Sequence, residues 1–283
     1  MQLHTPYKPY QYKSHGHTKH VRKYRSIIYP ASISQRIYSA LITPVVLLVI
    51  IGALYVVAPS AHEVSRVSWQ GLGLAMLYSF GRLAIAYVIS LVLAIPLALL
   101  ANSGPLAERI FLPLFDIMES VPVLVFFPAI IVIFVGLGMT NGAAIFIIFV
   151  SMLWNIVFPV AGGLRIIPGD IKAAAHVFNI RGFTYLRKVL LPATFPYLVT
   201  GSLLAWAQGW NIIIVAEVLH TYIPNGTENQ DLYGIGSVLV HAATHADPSV
   251  FAASLIIVVS VIAAMNLFIW QTLLKESEKY RFE

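Results

Sequence analysis

The 283-residue sequence contains no cysteine. Disulfide bonds, cysteine zinc sites, iron–sulfur clusters and thiol catalysis are therefore excluded. The sequence also lacks a G-x-x-x-x-G-K-[ST] loop for ATP phosphates and an H-E-x-x-H metal motif. We therefore predict no catalytic residue, no metal ligand and no cofactor bound by this chain.

Charge is scarce as well. Only 11% of the residues are charged, whereas soluble domains carry about 25%. The hydrophobic fraction is 58% and the mean hydropathy is +0.79. A water-facing surface needs more charge than this, so the composition predicts an integral membrane protein.

Long apolar runs are what the sequence has in quantity. A helix needs about 20 apolar residues to cross a membrane, and the runs are too long and continuous for the strands of a barrel. We predict an all-α protein with six transmembrane helices. Their ranges are Ile37–Ala58, Leu74–Leu100, Leu114–Leu137, Gly142–Gly163, Pro196–Leu219 and Val250–Leu274. Asp247-Pro248 is a cap followed by a first-turn proline, which predicts the start of the last helix.

The basic residues are distributed unevenly between the two sides of these helices. Of the 18 Lys and Arg residues, only Arg66 and Arg82 do not fall on the side that holds both termini. The positive-inside rule places that side in the cytoplasm of a plasma-membrane protein. Residues 1–36 are basic and contain no acid, which predicts a disordered tail that favours an anionic membrane surface. The uneven distribution of basic residues across the membrane accounts for the net charge of +6, so this charge does not imply a nucleic-acid partner.

Residues 173–192, AAAHVFNIRGFTYLRKVLLP, form an amphipathic segment between the fourth and fifth predicted helices. We expect Asp170 to cap a short helix over 171–178, and Asn179 to close it in the left-handed conformation. Arg181-Gly182 permits a second bend. A second short helix over 183–191 is expected to end where Pro192 returns the chain to the membrane. The three alanines and the closing Asn favour insertion into a partner's groove over an amphipathic helix that lies on the bilayer.

This segment resembles the cytoplasmic EAA loop of binding-protein-dependent ABC importer permeases. Ala174 and Ala175 match the two alanines of that motif, and Val189, Leu191 and Pro192 match its end. Ala173 replaces the usual Glu, and Asn179 replaces the usual Gly. The loop residues assigned by the resemblance are Ala173, Ala174, Ala175, Phe178, Asn179, Gly182, Leu191 and Pro192.

The resemblance extends over about residues 72–283, a permease domain that we place at 37–283. The segments Ser120–Gly138, Phe195–Glu217 and Gly234–Ser237 are similar to the nitrate, sulfonate and taurine branch of these permeases. The resemblance implies a type I importer permease that moves a small solute, and we expect this solute to be an anion. The loop would dock a cytoplasmic ATPase, which binds the ATP, through Ala174, Ala175 and Phe178. A second permease subunit, identical or different, and an extracytoplasmic solute-binding protein are the other implied partners. An ion-driven secondary transporter and a non-transport scaffold are the alternatives.

Four charged residues lie in or beside the predicted helices: Arg82, Asp116, Glu119 and Glu217. A charge inside a bilayer is costly, so each should be paired, interfacial or exposed to a pathway. For Arg82 we favour an ion pair with a carboxylate on another helix over attraction of an anionic substrate. Asp116 and Glu119 are interpreted as a charge pair at a helix start. The resemblance gives Glu217 a gating or structural role, and Arg82, Glu119 and Glu217 are the candidates for the pathway or its gate.

Overall fold

The structure is a computed structural model and describes residues 68–223 and 225–280. The predicted tail 1–36 and the first predicted helix, Ile37–Ala58, lie outside the described residues. The described part is built from α-helices joined by short turns and by one longer loop that follows Glu217. The helices are α1 (Trp69–Ala101), α2 (Pro105–Ser120), α3 (Phe127–Gly136), α4 (Thr140–Ile166), α5 (Gly169–Val177), α6 (Gly182–Tyr185), α7 (Leu191–Glu217), α8 (Ile235–Thr244), α9 (Pro248–Met265) and α10 (Gln271–Ser277).

Helix α4 forms the centre of the bundle and packs against both α1 and α7. More than half of its most apolar window is buried (56%), compared with 28% for α1 and 22% for the helix that begins at Pro248. Gly201 lets α7 approach α4 closely, because a Cβ at this position would lie 2.8 Å from the carbonyl oxygen of Asn155. The outer faces of α1 and α9 expose large apolar side chains, as expected of surfaces that contact lipid.

The third predicted helix, Leu114–Leu137, is not one continuous helix. The chain forms α2, a 3₁₀ turn over Val123–Phe126 and α3, and the two arms are bent by 71°. Val121 adopts an extended conformation before Pro122, since a proline disfavours the helical region for the residue preceding it. Apolar composition alone does not reveal this break.

Four helical segments in the described part are long and apolar enough to cross a membrane, or five if the bent pair is one span. They contain the second, fourth and sixth predicted helices, and the fifth except for its last two residues, Val218 and Leu219. Pro96 and Pro159 lie inside α1 and α4. Asp247 caps α9 as predicted, because its carboxylate accepts hydrogen bonds from the N–H groups of Ser249 and Val250.

The segment between α4 and α7 differs from its prediction in two ways. Helix α5 starts at Gly169 with Pro168 in the cap position, so Asp170 lies in the first turn and is not the cap. The second short helix does not end at Pro192. A π turn over Leu186–Leu190 joins α6 to α7, and the helix continues through Pro192 to Glu217. Pro192 has no N–H to donate to Lys188, and the wider turn lies where that hydrogen bond is missing.

Candidate functional site

A polar cavity of about 280 Å³ lies where the break between α2 and α3 faces α4 and α7. Glu119 and Pro122 line it from the break. Ser151 and Asn155 line it from α4, and Gln208 lines it from α7. The break therefore has a function in the architecture: it opens a polar space inside an otherwise apolar bundle.

Trp154 also lines this cavity. Its indole Nε1 is buried and has no hydrogen-bond partner among the described residues. A buried donor without a partner destabilises the folded chain by about 1–3 kcal/mol. Trp154 therefore places an unpaired donor next to the cavity, and the Nε1 atom itself is shielded from the cavity in this structure.

The cavity offers hydrogen-bond donors without a positive charge. The amide groups of Asn155 and Gln208 are neutral donors, and one amide N–H of Asn155 is used on the Ser151 carbonyl. Glu119 supplies the charged group at this cavity, and its residue is exposed. The sequence identified Glu119, but it gave no reason to group it with Trp154 or Gln208. Ser151 and Asn155, four residues apart on an apolar helix, were a signal that could have been used.

A second set of polar groups lies where α7 ends, and we call it the Glu217 cluster. It comprises Ser79, Arg82, Asn141 and Glu217, with the backbone of 233–236. Arg82 Nη1 lies 2.6 Å from Glu217 Oε1, and the two side chains are 7% and 0% exposed. Arg82 also donates to Asn141 Oδ1 at 2.9 Å and to the Tyr233 carbonyl at 3.0 Å. The structure therefore shows the ion pair with a carboxylate on another helix that the sequence favoured for Arg82.

The same cluster holds the start of α8. Glu217 Oε2 accepts the Gly236 N–H at 2.8 Å. Ser79 Oγ donates to Glu217 Oε1 at 2.6 Å and accepts the Ile235 N–H at 2.8 Å. A carboxylate at a helix N-terminus is stabilised by the helix dipole and by the unpaired N–H groups there. Glu217 therefore ties α8 to α1 and α7.

The contact between Glu217 and the start of α8 explains why the Gly234–Ser237 segment contains two glycines. A Cβ on Gly236 would lie 2.8 Å from Glu217 Oε2 and 2.8 Å from the Ile214 Cα. A Cβ on Gly234 would meet the Glu217 carboxyl group as well. Sequence reasoning interpreted these glycines as a turn and did not connect them with Glu217. Ser79, one turn before Arg82, was also missed.

The loop over residues 169–190 lies at the other end of α7. Asn179 has φ = 53°, the left-handed conformation that was predicted for it. The Ile180 N–H bonds to the Ala175 carbonyl at 2.9 Å, and the Asn179 N–H bonds to the His176 carbonyl at 3.0 Å. These two bonds form the Schellman motif that ends many helices. Gly182 is also left-handed, with φ = 57°, so the chain bends twice, as expected.

The exposed surface of this loop is apolar. Val177, Phe178 and Phe183 are 80%, 76% and 75% exposed. Ala173 and Ala174 are exposed as well, but Ala175 is 4% exposed and faces the body of its own chain. Ala175, which the sequence placed on a contact surface with Ala174 and Phe178, is therefore buried and not available for such a contact in this structure. Leu191 and Pro192 are half-buried at the start of α7 and border an open groove with Tyr280.

Comparison with known proteins agrees with these features. The model of the family described as "Binding-protein-dependent transport system inner membrane component" matches residues 90–275. The chain is 33% identical over 168 residues to a nitrate import permease protein of Leptolyngbya laminosa, across 59% of each chain. It is 30% identical over 150 residues to a bicarbonate transport system permease protein of Synechocystis, across 53% of this chain and 52% of that protein. A putative ABC transporter permease protein of Methanocaldococcus jannaschii is 24% identical over 206 residues, across 70% of this chain and 73% of that one.

The chain thus spans 59% of the length of the nitrate relative and about half of the bicarbonate relative. The family match covers the cavity, Glu217 and the 169–190 loop, and begins within α1. The apolar helices of the described part agree with a protein that crosses the inner membrane several times. Because the family model matches most of its length, this chain belongs to the inner-membrane permease components of binding-protein-dependent ABC transporters.

Proposed function

We propose that this chain is the transmembrane subunit of an ABC importer and forms the path of a small anion such as nitrate or bicarbonate. The observation that carries the proposal is the cavity lined by the neutral amides of Asn155 and Gln208, beside which the buried Trp154 N–H has no partner. An anion accepts hydrogen bonds, and a hydrogen bond to a charged group contributes about 1.5–3 kcal/mol. Neutral donors bind an anion without holding it as firmly as a buried cation would, which suits a path that must release its solute.

The printed names of the relatives support this class of solute. Two of the similar proteins are named as permeases for nitrate and for bicarbonate. Both ions are small, planar and singly charged, and both fit easily into about 280 Å³. Glu119 opposes an anion and favours a solute with an ammonium group, so its replacement is informative about the sign of the solute's charge.

We further propose that the 169–190 loop couples this chain to a separate ATPase subunit. Three large apolar side chains exposed on one short loop are an unusual surface for a protein on its own, and such patches mark contact sites. The Schellman turn at Asn179 gives the loop a defined shape for insertion into a cleft. A second permease subunit and a solute-binding protein complete the proposed assembly, with both termini in the cytoplasm.

The test is uptake by the reconstituted importer, purified with its ATPase and binding protein. Trp154→Phe keeps the aromatic ring and removes the N–H, so we expect the KM for nitrate or bicarbonate to rise about tenfold to a hundredfold. Trp206→Phe is the matched control, because Trp206 is a core tryptophan of α7 that does not line the cavity. Glu119→Gln should lower the KM for an anion.

Three results would contradict the proposal. Uptake that needs an ion gradient but no ATP hydrolysis would indicate a secondary transporter. An unchanged KM in Trp154→Phe, with normal expression, would show that the cavity is not on the solute's path. A higher KM in Glu119→Gln would reassign the solute to a class that carries a positive group.

A further inference from the structure

Three side chains between α7 and the end of α8 converge on one point. His220 Nδ1 and His241 Nε2 each lie 2.7 Å from Asp231 Oδ2. All three potential ligand atoms lie within 4.8 Å of one another. His220 follows α7, Asp231 lies in the loop and His241 is in the last turn of α8, so the group joins three parts of the chain.

The carboxylate in this group is fixed in position. Asp231 Oδ1 accepts the His220 backbone N–H at 2.9 Å, which leaves Oδ2 to the two imidazoles. The Asp231 side chain is only 2% exposed. Burial alone would raise the pKa of the Asp231 carboxyl. The hydrogen bonds from the His220 N–H and from both imidazoles outweigh that effect and hold its pKa below its ordinary value. The group is therefore an oriented carboxylate with two nitrogen donors.

We propose that His220, Asp231 and His241 form a binding site for a divalent transition metal of the Zn²⁺ class, a function beyond the solute transport proposed above. Two imidazoles and one carboxylate are ligands that Zn²⁺ takes at about 2.0–2.2 Å, and three protein ligands leave a fourth position open. Ligand atoms around a tetrahedral ion are about 3.3 Å apart at such bond lengths, so each N···O distance lengthens by about 0.6 Å. Side-chain rotation supplies that movement.

The ion replaces the two hydrogen bonds to Asp231 Oδ2. Each imidazole coordinates through the nitrogen that faces Asp231, and its proton then resides on the other ring nitrogen, Nε2 of His220 and Nδ1 of His241. Each histidine stays neutral and the carboxylate stays ionised, as metal ligation requires.

The surroundings admit and favour a cation. The side chains of His220 and His241 are 23% and 29% exposed, so the site can be reached from solvent. The segment 220–247 contains three acidic residues and no Lys or Arg. His245 Nε2 and Glu228 Oε2 lie 3.7 Å apart, and the His245 ring lies 6.5 Å from the His241 ring.

The sequence did not suggest this site, because its ligands are spaced by 11 and 10 residues and match no standard motif. A bound ion would clamp the loop whose Leu232 N–H bonds to the Glu217 carbonyl at 2.9 Å. Bound metal would in this way stabilise the loop that contacts Glu217 through Leu232.

The test measures metal bound by the purified full-length chain, so its outcome does not depend on transport. The tail contains His4, His15, His17 and His20. The parent protein therefore has these four replaced by Asn, and it is purified without a histidine tag. After removal of metal with EDTA, Zn²⁺ is titrated by calorimetry and bound zinc is counted by mass spectrometry. We expect one Zn²⁺ per chain.

Two substitutions separate a metal site from a hydrogen-bonded group. His220→Asn and His241→Gln each place an amide N–H where the imidazole nitrogen was, so both keep a donor to Asp231 but lose the ligand. We expect each to unfold at the parent's temperature without zinc, to bind no Zn²⁺, and to lose the rise in unfolding temperature that zinc gives the parent.

His176→Gln, in α5 and far from the proposed site, is the control and should keep one Zn²⁺ per chain. A parent that binds no zinc would overturn the proposal, and the three side chains would then be a hydrogen-bonded group only. Retention of one Zn²⁺ in both ligand variants would overturn it as well.

Discussion

Glu217 is fully buried, and each of its oxygens has a donor from another part of the chain. Ser79 and Arg82 bind Oε1, and the Gly236 N–H binds Oε2. A buried charge with its partners present is tolerated, whereas a buried charge that has lost its partner is strongly destabilising. Removing the charge of only one member of the Arg82–Glu217 pair should therefore destabilise the fold more than removing both charges.

We predict that Arg82→Met lowers the free energy of unfolding by about 3–5 kcal/mol, because it leaves the Glu217 carboxylate without its cation. The double variant Arg82→Met, Glu217→Gln should recover part of this loss, because the remaining amide is neutral. Thermal unfolding of the purified protein in detergent, across the four members of the cycle, gives the coupling energy. Additive effects of the two substitutions would show that the ion pair contributes nothing beyond its separate residues.

At the level of elements, the 169–190 loop shows what periodicity and composition can predict. Two bends and a left-handed Asn179 were predictable, because Asn and Gly are the residues that adopt this conformation readily. The continuous path through Pro192 was not predictable, because the π turn that accommodates the proline leaves no mark in the sequence. The inward orientation of Ala175 was not predictable either, because three adjacent alanines look alike without their neighbours in space.

We predict that Ala174→Arg prevents the ATPase from co-purifying with this chain, while the chain keeps its unfolding temperature. Ala174 is exposed on α5, so a long charged side chain there obstructs a docking cleft without entering the protein's own core. Ser103→Arg is the control, an exposed substitution in the turn beside Arg165, at the same end of the bundle. Ala173→Glu should be tolerated, because Ala173 is exposed on the surface of α5.

Normal recovery of the ATPase with Ala174→Arg would remove the loop from the coupling role. The amphipathic segment would then be better explained as a helix that lies on the bilayer. Loss of the ATPase with Ser103→Arg as well would indicate a general effect of added charge at this end.

For the whole molecule, the composition was sufficient to predict a helical membrane protein, since 11% charge cannot cover a water-facing surface. The spans within α1, α4, α7 and α9 followed from long apolar runs. The cavity was not predictable, because it depends on a 71° bend and on four separate elements that meet there. The need for a partner to Arg82 was predictable, but its identity was not, because the two residues are 135 positions apart.

The orientation of the chain in the membrane is a prediction that can be tested directly. The chain has no native cysteine, so a single introduced cysteine reports without background. We expect Thr227→Cys to react with a membrane-impermeant maleimide applied to intact cells, and Ser103→Cys to react only after the membrane is opened. Both positions are exposed and lie at opposite ends of the bundle. The reverse pattern would place the termini outside and contradict the distribution of Lys and Arg.

The distance along the chain between Arg82 and Glu217 also imposes an order on how the protein is made. At roughly 5–20 residues per second, about 7 to 27 seconds of synthesis separate the two residues, which are 135 positions apart. During that interval the nascent α1 holds a cation that its membrane environment disfavours. Asn141 emerges after only 59 positions and accepts from Arg82 Nε at 2.9 Å, so it can receive the arginine first. The Arg82–Glu217 pair is therefore completed only after the far end of α7 has been synthesised.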